Sequence, residues 1–379
     1  MSQTVILVSP APVDAYPPVQ YQARILADAG YKVELLSQPL PQSERINFRY
    51  DGVRMIEWRP PRQGKPRLIG AIANAAQLVR YIAALSLLRL RAGTAAAEIS
   101  YDPNGILISD YALFRPRRRI AHLHETVQRM DQAFIERRLK TALRGFQRIA
   151  VADEGRATLL VDQMNLPTAP AVVPNVPLAS AEDAPGVETH AGFDVIYGGS
   201  LGSDQKIGLI IQSVPLWPAD GRLILAGDDT RPHAQTLKTL VADLGLTERV
   251  IFEGWMNLDH LLARYRKAHL GISLLTANSA QWVLSVGASN KRYQYMQAGL
   301  PQIGDQMPGV PELLEGNGIG RCVVEYDEQA IADIVRHYHA NPDQRREAGR
   351  KARALHLERY NYQKAFEPTL RWIAEGLTA

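Results

Sequence analysis

The stretch that decides the fold is SNKRYQYMQAGLPQI, residues 289–303. It predicts a helix that begins after Ser289, a Gly-Leu-Pro break at 299–301 and then a buried strand. Serine caps helix N-termini, whereas glycine and proline end helices. Asn290 and Lys291 fall in the first turn of this helix. Because a helix start offers free N–H groups and a partial positive charge, it favours a phosphate group.

Outward from this stretch, apolar β-rich runs alternate with helical patterns along the whole chain. The alternation predicts an α/β fold with parallel sheets that helices cover on both faces. Predicted strands are residues 4–8, 32–36, 53–58, 105–109, 119–123, 148–152 and 171–173, then 194–197, 222–226, 250–252, 270–274, 301–303 and 321–324. The acidic, aperiodic stretch 179–190 indicates a linker. We predict two domains, residues 1–178 and 191–359, with a C-terminal helix in 360–379 packed on the first.

The two halves of the chain carry opposite charge. Residues 1–178 contain 23 Lys and Arg against 15 Asp and Glu, and residues 179–379 contain 20 against 24. A basic first half favours an anionic partner such as a membrane surface, and a solvated basic face explains it equally well. The apolar run 68–88 has basic flanks. Polar Asn74, Gln77 and Arg80 near its middle favour a buried or interfacial helix over a membrane span.

The single cysteine, Cys322, permits no intrachain disulfide. This fits a reducing compartment, so we predict a cytoplasmic protein, free or peripheral on the inner face of the membrane.

Six runs in chain order resemble the GT-B glycosyltransferases, and most closely family four of that group. They are QRIAVADE at 147–154, VVPNVP at 172–177, YGGSL at 197–201 followed by Lys206, LILAGD at 223–228, VIFEGW at 250–255, and the 289–303 stretch. The first hundred residues match only in outline. The resemblance implies two Rossmann-like domains facing a cleft. It also implies transfer of a sugar from a nucleotide diphosphate sugar to a polysaccharide, glycolipid or other saccharide or lipid-linked acceptor, with no cofactor and no nucleic acid.

The resemblance assigns the donor to the second domain. The chain contains no Asp-x-Asp pair, so lysines and helix N-termini, rather than a metal ion, would neutralise the departing diphosphate. A solvated lysine or a helix-start glutamate is the ordinary interpretation of Lys206, Lys291 and Glu312. The donor-binding candidates all lie in or beside the resembling motifs and are Gly199, Ser200, Lys206, Gly254, Ser289, Asn290, Lys291, Gln294 and Glu312.

Three features depart from the family pattern. Ser200 stands where an arginine usually contacts the pyrophosphate, and Lys206 lies one residue farther along than the common spacing. The family's Glu-x7-Glu pair falls on Val286 and Gln294, which places the chain with a Ser-Asn-Lys branch that lacks the full pair. Gln294 can still accept a hydrogen bond from a ribose hydroxyl. The resemblance implies a retaining reaction, which the missing carboxylate at Val286 leaves open.

In the first domain, IAHLHE at 120–125 resembles the family's V-x-x-H-(D/E) segment. It predicts His124 and Glu125 as catalytic residues. Strand alternation puts His122 and His124 on one face. A satisfied core histidine and a capping glutamate are the ordinary alternative. In the proline-rich loop that follows the first strand, Asp14 and Tyr16 are the acceptor-side candidates.

Another class of protein also fits one motif. GGSLG at 198–202 matches the G-x-S-x-G nucleophile elbow of serine hydrolases, with Asp228 or Asp305 and His337 as later partners. A serine esterase is therefore one alternative. Two others keep the resembling fold: a protein that binds a nucleotide sugar without catalysis, indicated by Val286 and Ser200, and a nucleotide-sugar epimerase.

Overall fold

The computed structural model describes residues 3–13, 16–38, 48–57, 67–127, 133–179 and 192–376. The chain divides into two compact units, Met1–Asn175 with Tyr362–Ala379, and Val176–Asn361. The last helix thus belongs to the first unit.

The first unit is a seven-stranded parallel sheet with the strand order β3-β2-β1-β4-β5-β6-β7. Its strands are β1 (Thr4–Pro12), β2 (Lys32–Gln38), β3 (Val53–Glu57), β4 (Ala97–Tyr101), β5 (Arg119–Leu123), β6 (Arg148–Val151) and β7 (Ala171–Val172). Its helices are α1 (Pro17–Asp28), α2 (Arg67–Ala92), α3 (Asp102–Tyr111), α4 (Ala133–Leu143), α5 (Glu154–Met164) and, from the end of the chain, α14 (Tyr362–Glu375).

The second unit is a six-stranded parallel sheet with the order β10-β9-β8-β11-β12-β13. Its strands are β8 (Phe193–Gly198), β9 (Gly221–Ala226), β10 (Val250–Gly254), β11 (Leu270–Ile272), β12 (Gln302–Gly304) and β13 (Gly320–Cys322). Its helices are α6 (Ile207–Ser213), α7 (Pro232–Asp243), α8 (Leu258–Tyr265), α9 (Ala280–Val283), α10 (Asn290–Ala298), α11 (Val310–Leu314), α12 (Glu328–Ala340) and α13 (Pro342–Glu358).

The central strands explain why the sequence folds this way. Strands β4, β5 and β8 are buried at every position. Such continuous burial is expected of parallel strands with helices on both faces, because neither face meets water. The predicted α/β class with two Rossmann-like domains is therefore confirmed.

One predicted strand is wrong, since residues 105–109 lie in α3 and the strand at this place is β4. Glu98 concealed β4, because a charged residue is unusual in a buried strand. Its carboxylate accepts two hydrogen bonds of 2.7 Å from Arg89, and Ser109 donates to it as well. The apolar run 105–109 is a buried helix face, which a short apolar pattern cannot distinguish from a strand.

Helix α2 occupies the run 68–88 that the sequence marks as buried or interfacial. Its residues Tyr81, Leu85 and Leu88 pack in one core cluster with Ile6 and Leu36 of the sheet. Within the described ranges, no helix combines the length and the apolar character needed to cross a membrane.

Each sheet has one point where the strand order reverses. Strand β1 lies between β2 and β4, and β8 lies between β9 and β11. The loops at the carboxyl ends of such strand pairs run to opposite sides of the sheet and leave room for a ligand. The segments that follow β1, β4 and β5, and those that follow β8 and β11, are therefore where ligand-binding side chains are expected.

Candidate functional site

The carboxyl end of β8 is a tight glycine turn. Gly199 has a φ of 132°, a backbone conformation that favours glycine. Gly227, which follows β9, packs so closely that a side chain there would overlap the carbonyl oxygen of Gly199. Glycine at both positions lets this turn form and lets a ligand approach its backbone closely.

Lys291 lies in the first turn of α10, against the Gly199 turn. Its Nζ atom is 3.3 Å from the place that a Cβ atom on Gly199 would occupy, and 5.2 Å from the centre of the Tyr197 ring. Burial, and then the charge of Arg292, lower the pKa of Lys291 to about 8. An anion beside this ammonium group would favour its charged form. The structure thus brings together two predicted donor-binding residues, Gly199 and Lys291.

Lys206 lies at the end of the same loop, immediately before α6. Its Nζ atom is 4.1 Å from the centre of the Tyr326 ring. Tyr197, which the sequence did not single out, braces the loop between the two predicted lysines. Its hydroxyl lies 2.7 Å from the carbonyl oxygen of Ser200 and 3.0 Å from Oε1 of Gln205. Ser200 itself is exposed.

The start of α10 differs from the sequence expectation at one side chain. Ser289 occupies the N-cap position, but its hydroxyl makes no capping hydrogen bond, so that part of the prediction is wrong. Asn290 is the first residue of the helix, and Gln294 is buried one turn later. The first N–H groups of a helix have no partner within it. At α10 they and the Ser289 hydroxyl can therefore serve other acceptors.

The remaining donor candidates also follow strand ends. Gly254 closes β10 with a φ of 72°, and Trp255 beside it is 61% exposed. Glu312 lies in the first turn of α11, and its side chain is exposed. Val286 packs against Gly309, with its Cγ1 atom 3.1 Å from the place of a Cβ atom there. An apolar contact therefore stands where the family pattern has a carboxylate.

A buried ion pair, which sequence reasoning missed, fixes α10. Nη2 of Arg292 is 3.1 Å from Oδ2 of Asp305, and both side chains are fully buried. Asp305 also accepts hydrogen bonds from the backbone N–H groups of Leu275 and Met307. The pair joins α10 to the segments after β11 and β12, and so holds the helix start that carries Lys291. The available signal was an arginine on the otherwise buried face of the 289–303 stretch.

The serine-esterase alternative finds no support in this geometry. A nucleophile elbow passes directly from strand to helix, whereas the helix after Ser200 begins only at Ile207. Asp305 is committed to the buried ion pair. Hydrogen bonds from Thr230 and then Arg231 lower the pKa of Asp228 to about 2. His337 lies in α12 and lines a groove with Cys322. Each predicted partner of Ser200 therefore has a different set of contacts.

In the first unit, Asp102 is central to the candidate catalytic group. Its Oδ1 atom accepts a 2.9 Å hydrogen bond from the backbone N–H of His124, and the Tyr16 hydroxyl donates to Oδ2 at 3.1 Å. The Nδ1 atom of His124 is 3.9 Å from Oδ2. Burial alone would raise the pKa of Asp102, but the proximity of His124 and the N–H groups outweighs it and lowers the pKa.

His124 stacks on His122, with ring centres 4.2 Å apart and 18° between the planes. Nδ1 of His122 accepts a 2.8 Å hydrogen bond from Nε2 of Gln22. Burial, and then His124, keep the pKa of His122 well below its usual range, so His122 is neutral. Neither ring nitrogen of the buried His124 has a hydrogen-bond partner among the described residues. Such an imidazole can bond a sugar hydroxyl and exchange a proton with it.

Glu125 directly follows β5, next to His124. Partial loss of hydration and then the charge of Asp102 raise the pKa of its carboxyl group. A raised pKa suits a carboxyl group that exchanges a proton near neutral pH. Of the acceptor-side candidates, Tyr16 has its ring edge against His124 at 4.9 Å, and Asp14 lies outside the described residues.

Sequence reasoning missed Asp102. The available signal was Asp-Pro-Asn directly after a buried strand, a typical turn sequence at a sheet edge. The incorrect strand at 105–109 concealed it, because that strand left no role for the residues before it. The described ranges contain no group of three or more His, Cys, Asp and Glu side chains that could hold a metal ion.

Comparison with known proteins adds to this geometry. Residues 192–341, most of the second unit, match the family model described as "Glycosyl transferases group 1". The second unit thus contains a glycosyl transferases group 1 domain. Among curated proteins, none is significantly similar to the chain.

Solved structures resemble the group 1 domain and the first unit together. Sucrose-phosphate synthase from Thermosynechococcus elongatus is 14% identical, with a TM-score of 0.73 over 100% of both chains. Anabaena HepE in complex with UDP is 13% identical, with a TM-score of 0.72 over 98% of this chain and 100% of its own. WaaG, a glycosyltransferase of lipopolysaccharide biosynthesis, is 13% identical, with a TM-score of 0.64 over 98% and 99%. At these identities the likeness establishes the fold, that of the GT-B glycosyltransferases.

Proposed function

We propose that the protein is a glycosyltransferase. It moves a hexose from a nucleotide diphosphate sugar to a saccharide or lipid-linked acceptor, without a metal ion and with retention of configuration. The observation that carries the proposal is Lys291, whose ammonium group lies at the start of α10 against the Gly199 turn. The group 1 match of this unit and the UDP in the HepE structure agree with a nucleotide-sugar donor.

The chemistry that the second unit would supply is stabilisation of a leaving group. As the bond between sugar and diphosphate breaks, negative charge gathers on the diphosphate, and groups that pair with that charge lower the barrier. Lys291, Lys206 and the N–H groups of the first turn of α10 can do this without a divalent ion. The exposed Trp255 beside Gly254 offers a flat apolar face for the nucleobase.

The first unit would handle the transferred sugar and the acceptor. His124 has two uncommitted ring nitrogens, so it can hydrogen-bond a sugar hydroxyl. Glu125, with its raised pKa, can take a proton from an acceptor hydroxyl. Asp102 and Tyr16 position His124 rather than react themselves. The resemblance to polysaccharide- and glycolipid-building enzymes suggests such an acceptor, and the single cysteine is consistent with action in the cytoplasm.

The test is a thermal-shift screen with nucleotide sugars, followed by turnover with the best donor in the presence of EDTA. Lys291→Ala and Lys206→Ala are each expected to cost about 2 kcal/mol of transition-state stabilisation. Lys351→Ala, at an exposed position on α13, is the matched control and should leave turnover unchanged.

Three outcomes would contradict the proposal. Unchanged turnover in both lysine variants would remove these residues from the site, and strict dependence on magnesium or manganese would refute the metal-free reaction. Donor binding without sugar release on any acceptor would instead support the non-catalytic alternative. Hydrolysis of a generic ester that Ser200→Ala abolishes would support the esterase.

A further inference from the structure

Away from its candidate catalytic group, the first unit carries a concentrated apolar surface. Twelve large hydrophobic side chains are exposed among the described residues. Seven of them belong to α2 and to the segment 111–114, namely Leu78, Val79, Leu87, Leu90, Tyr111, Leu113 and Phe114. Proteins in water usually expose such side chains singly, so a group of this size indicates a contact surface.

On α2 the exposed apolar side chains form one stripe. At 3.6 residues per turn they fall within about 80° of the helix circumference. The buried face of the same helix, with Tyr81 and Leu88, packs in a core cluster of the first unit, so the stripe faces away from the core. The residues of this stripe are Ala76, Val79, Ala83, Leu87 and Leu90, all of them exposed.

The segment 111–114 extends the stripe sideways. The N–H of Leu113 donates to Oγ of Ser86 at 2.9 Å, and Arg89 donates to the carbonyl oxygens of Ala112 and Leu113. These bonds hold the segment beside α2. Phe114 is 57% exposed and has a φ of 56°, which a bulky residue rarely adopts. Backbone strain of this kind persists where it serves a function.

Positive charge flanks the apolar stripe. Arg80 and Arg91 are exposed on one flank, and Arg117 follows the 111–114 segment on the other. Residues 58–97 contain no Asp or Glu at all. Arg115 is also exposed, although it pairs with Asp110 at 3.2 Å. A helix with an apolar stripe between arginines has the pattern of a segment that lies in a membrane interface.

We propose that α2 and the segment 111–114 bind the surface of a membrane that contains anionic lipids. Helix α2 lies in the plane of the headgroups, its stripe contacts the acyl chains, and the arginines pair with lipid phosphates. Charge selects this occupant over a second copy of the chain. A symmetric pair of these surfaces would bring arginines together, and like charges oppose such contact.

The test is sedimentation with vesicles, either of phosphatidylcholine alone or with about 30% phosphatidylglycerol, whose negative surface potential attracts basic segments. The protein should bind the anionic vesicles, bind the neutral ones weakly, and dissociate at about 0.5 M salt because screening shortens the reach of the charges. The triple variant Val79→Ser, Leu87→Ser, Leu90→Ser and the double variant Arg80→Glu, Arg91→Glu should each bind about tenfold more weakly or less.

The matched control is Leu216→Ser, Leu244→Ser, Leu357→Ser, which removes three exposed apolar side chains from the second unit and should leave vesicle binding unchanged. UDP binding by each variant checks that the chain is folded and separates this proposal from the enzymatic one. Unaltered vesicle binding by the stripe variants would overturn the proposal, as would equal binding to neutral and anionic vesicles. A dimer in light scattering that the triple variant converts to monomer would assign the surface to a second copy instead.

Discussion

At the scale of single residues, the ammonium group of Lys291 loses its charge in a pH range that most lysines never sense. Its pKa of about 8 reflects burial beside the Gly199 turn. A diphosphate pairs with the charged form only, so ligand binding must take up a proton wherever the free lysine is neutral.

We expect the affinity for UDP to fall as the pH rises through about 8, since the protein without ligand then loses the charge at Lys291. Lys291→Met should bind UDP more weakly and with little dependence on pH. Calorimetry between pH 7 and 9.5, in buffers of different ionisation enthalpy, measures both affinity and proton uptake. Equal pH dependence in the two proteins would show that another group titrates.

Asp102 combines two demands in one residue. Its φ of 55° is left-handed, and its carboxylate accepts from the backbone of His124. Asn tolerates this backbone and can still accept through its amide oxygen, whereas Ala does neither. Asp102→Ala should lower the free energy of unfolding by about 2–3 kcal/mol, and Asp102→Asn by distinctly less. Urea unfolding compares them, and equal losses would mean that neither backbone strain nor the hydrogen bond matters here.

The sequence could identify these residues only where a motif marked them. His124 and Lys291 lie in recognisable runs, so their positions at strand and helix ends were predictable. Asp102 and Tyr197 act through contacts between segments far apart in the chain, and no local pattern reports such contacts. The missing side-chain cap at Ser289 was equally unpredictable, because residue type gives the position of a cap but not the hydroxyl's partner.

At the scale of secondary-structure elements, the buried pair Arg292–Asp305 decides where α10 begins. Removing one partner leaves an uncompensated buried charge. Arg292→Met should therefore lower the free energy of unfolding by about 3–5 kcal/mol. The control is Arg346→Met, whose pair with Asp343 is exposed and should contribute less than about 1 kcal/mol.

Denaturant unfolding of both variants, followed by fluorescence, makes this comparison. UDP affinity should fall with Arg292→Met as well, since the helix start that holds Lys291 loses its anchor. A cost for Arg292→Met no larger than that of the exposed control would contradict this assignment.

The elements themselves were largely predictable from period and composition. Helices α13 and α14 coincide with the stretches that the sequence marks, and β5 matches residue for residue. The exception, β4 followed by α3, arises because the charge on Glu98 is neutralised by Arg89 from α2. A pattern read along one segment contains no information about a partner on another.

At the scale of the whole molecule, the first unit is built from both ends of the chain. Tyr362 at the start of α14 is fully buried, and its hydroxyl accepts a 2.7 Å hydrogen bond from Gln22. Gln22 in turn donates to His122, which stacks on His124. The last helix is thus connected by contacts to the candidate catalytic group.

A chain that ends at Asn361 should therefore lose the stability of the first unit and keep that of the second. Calorimetric scans should show one transition at much lower temperature and one nearly unchanged. Tyr362→Phe, which removes only the hydroxyl, should cost about 1 kcal/mol. A truncated chain that melts like the full-length protein would show that α14 is dispensable.

The same return of α14 sets an order on biosynthesis. Domains usually fold one after another as they leave the ribosome, beginning with the N-terminal one. Here the unit translated first cannot be finished until the final helix emerges, after every residue of the other unit has been made. The donor-binding half can therefore mature during translation, whereas the half that carries His124 is completed only after release of the nascent chain.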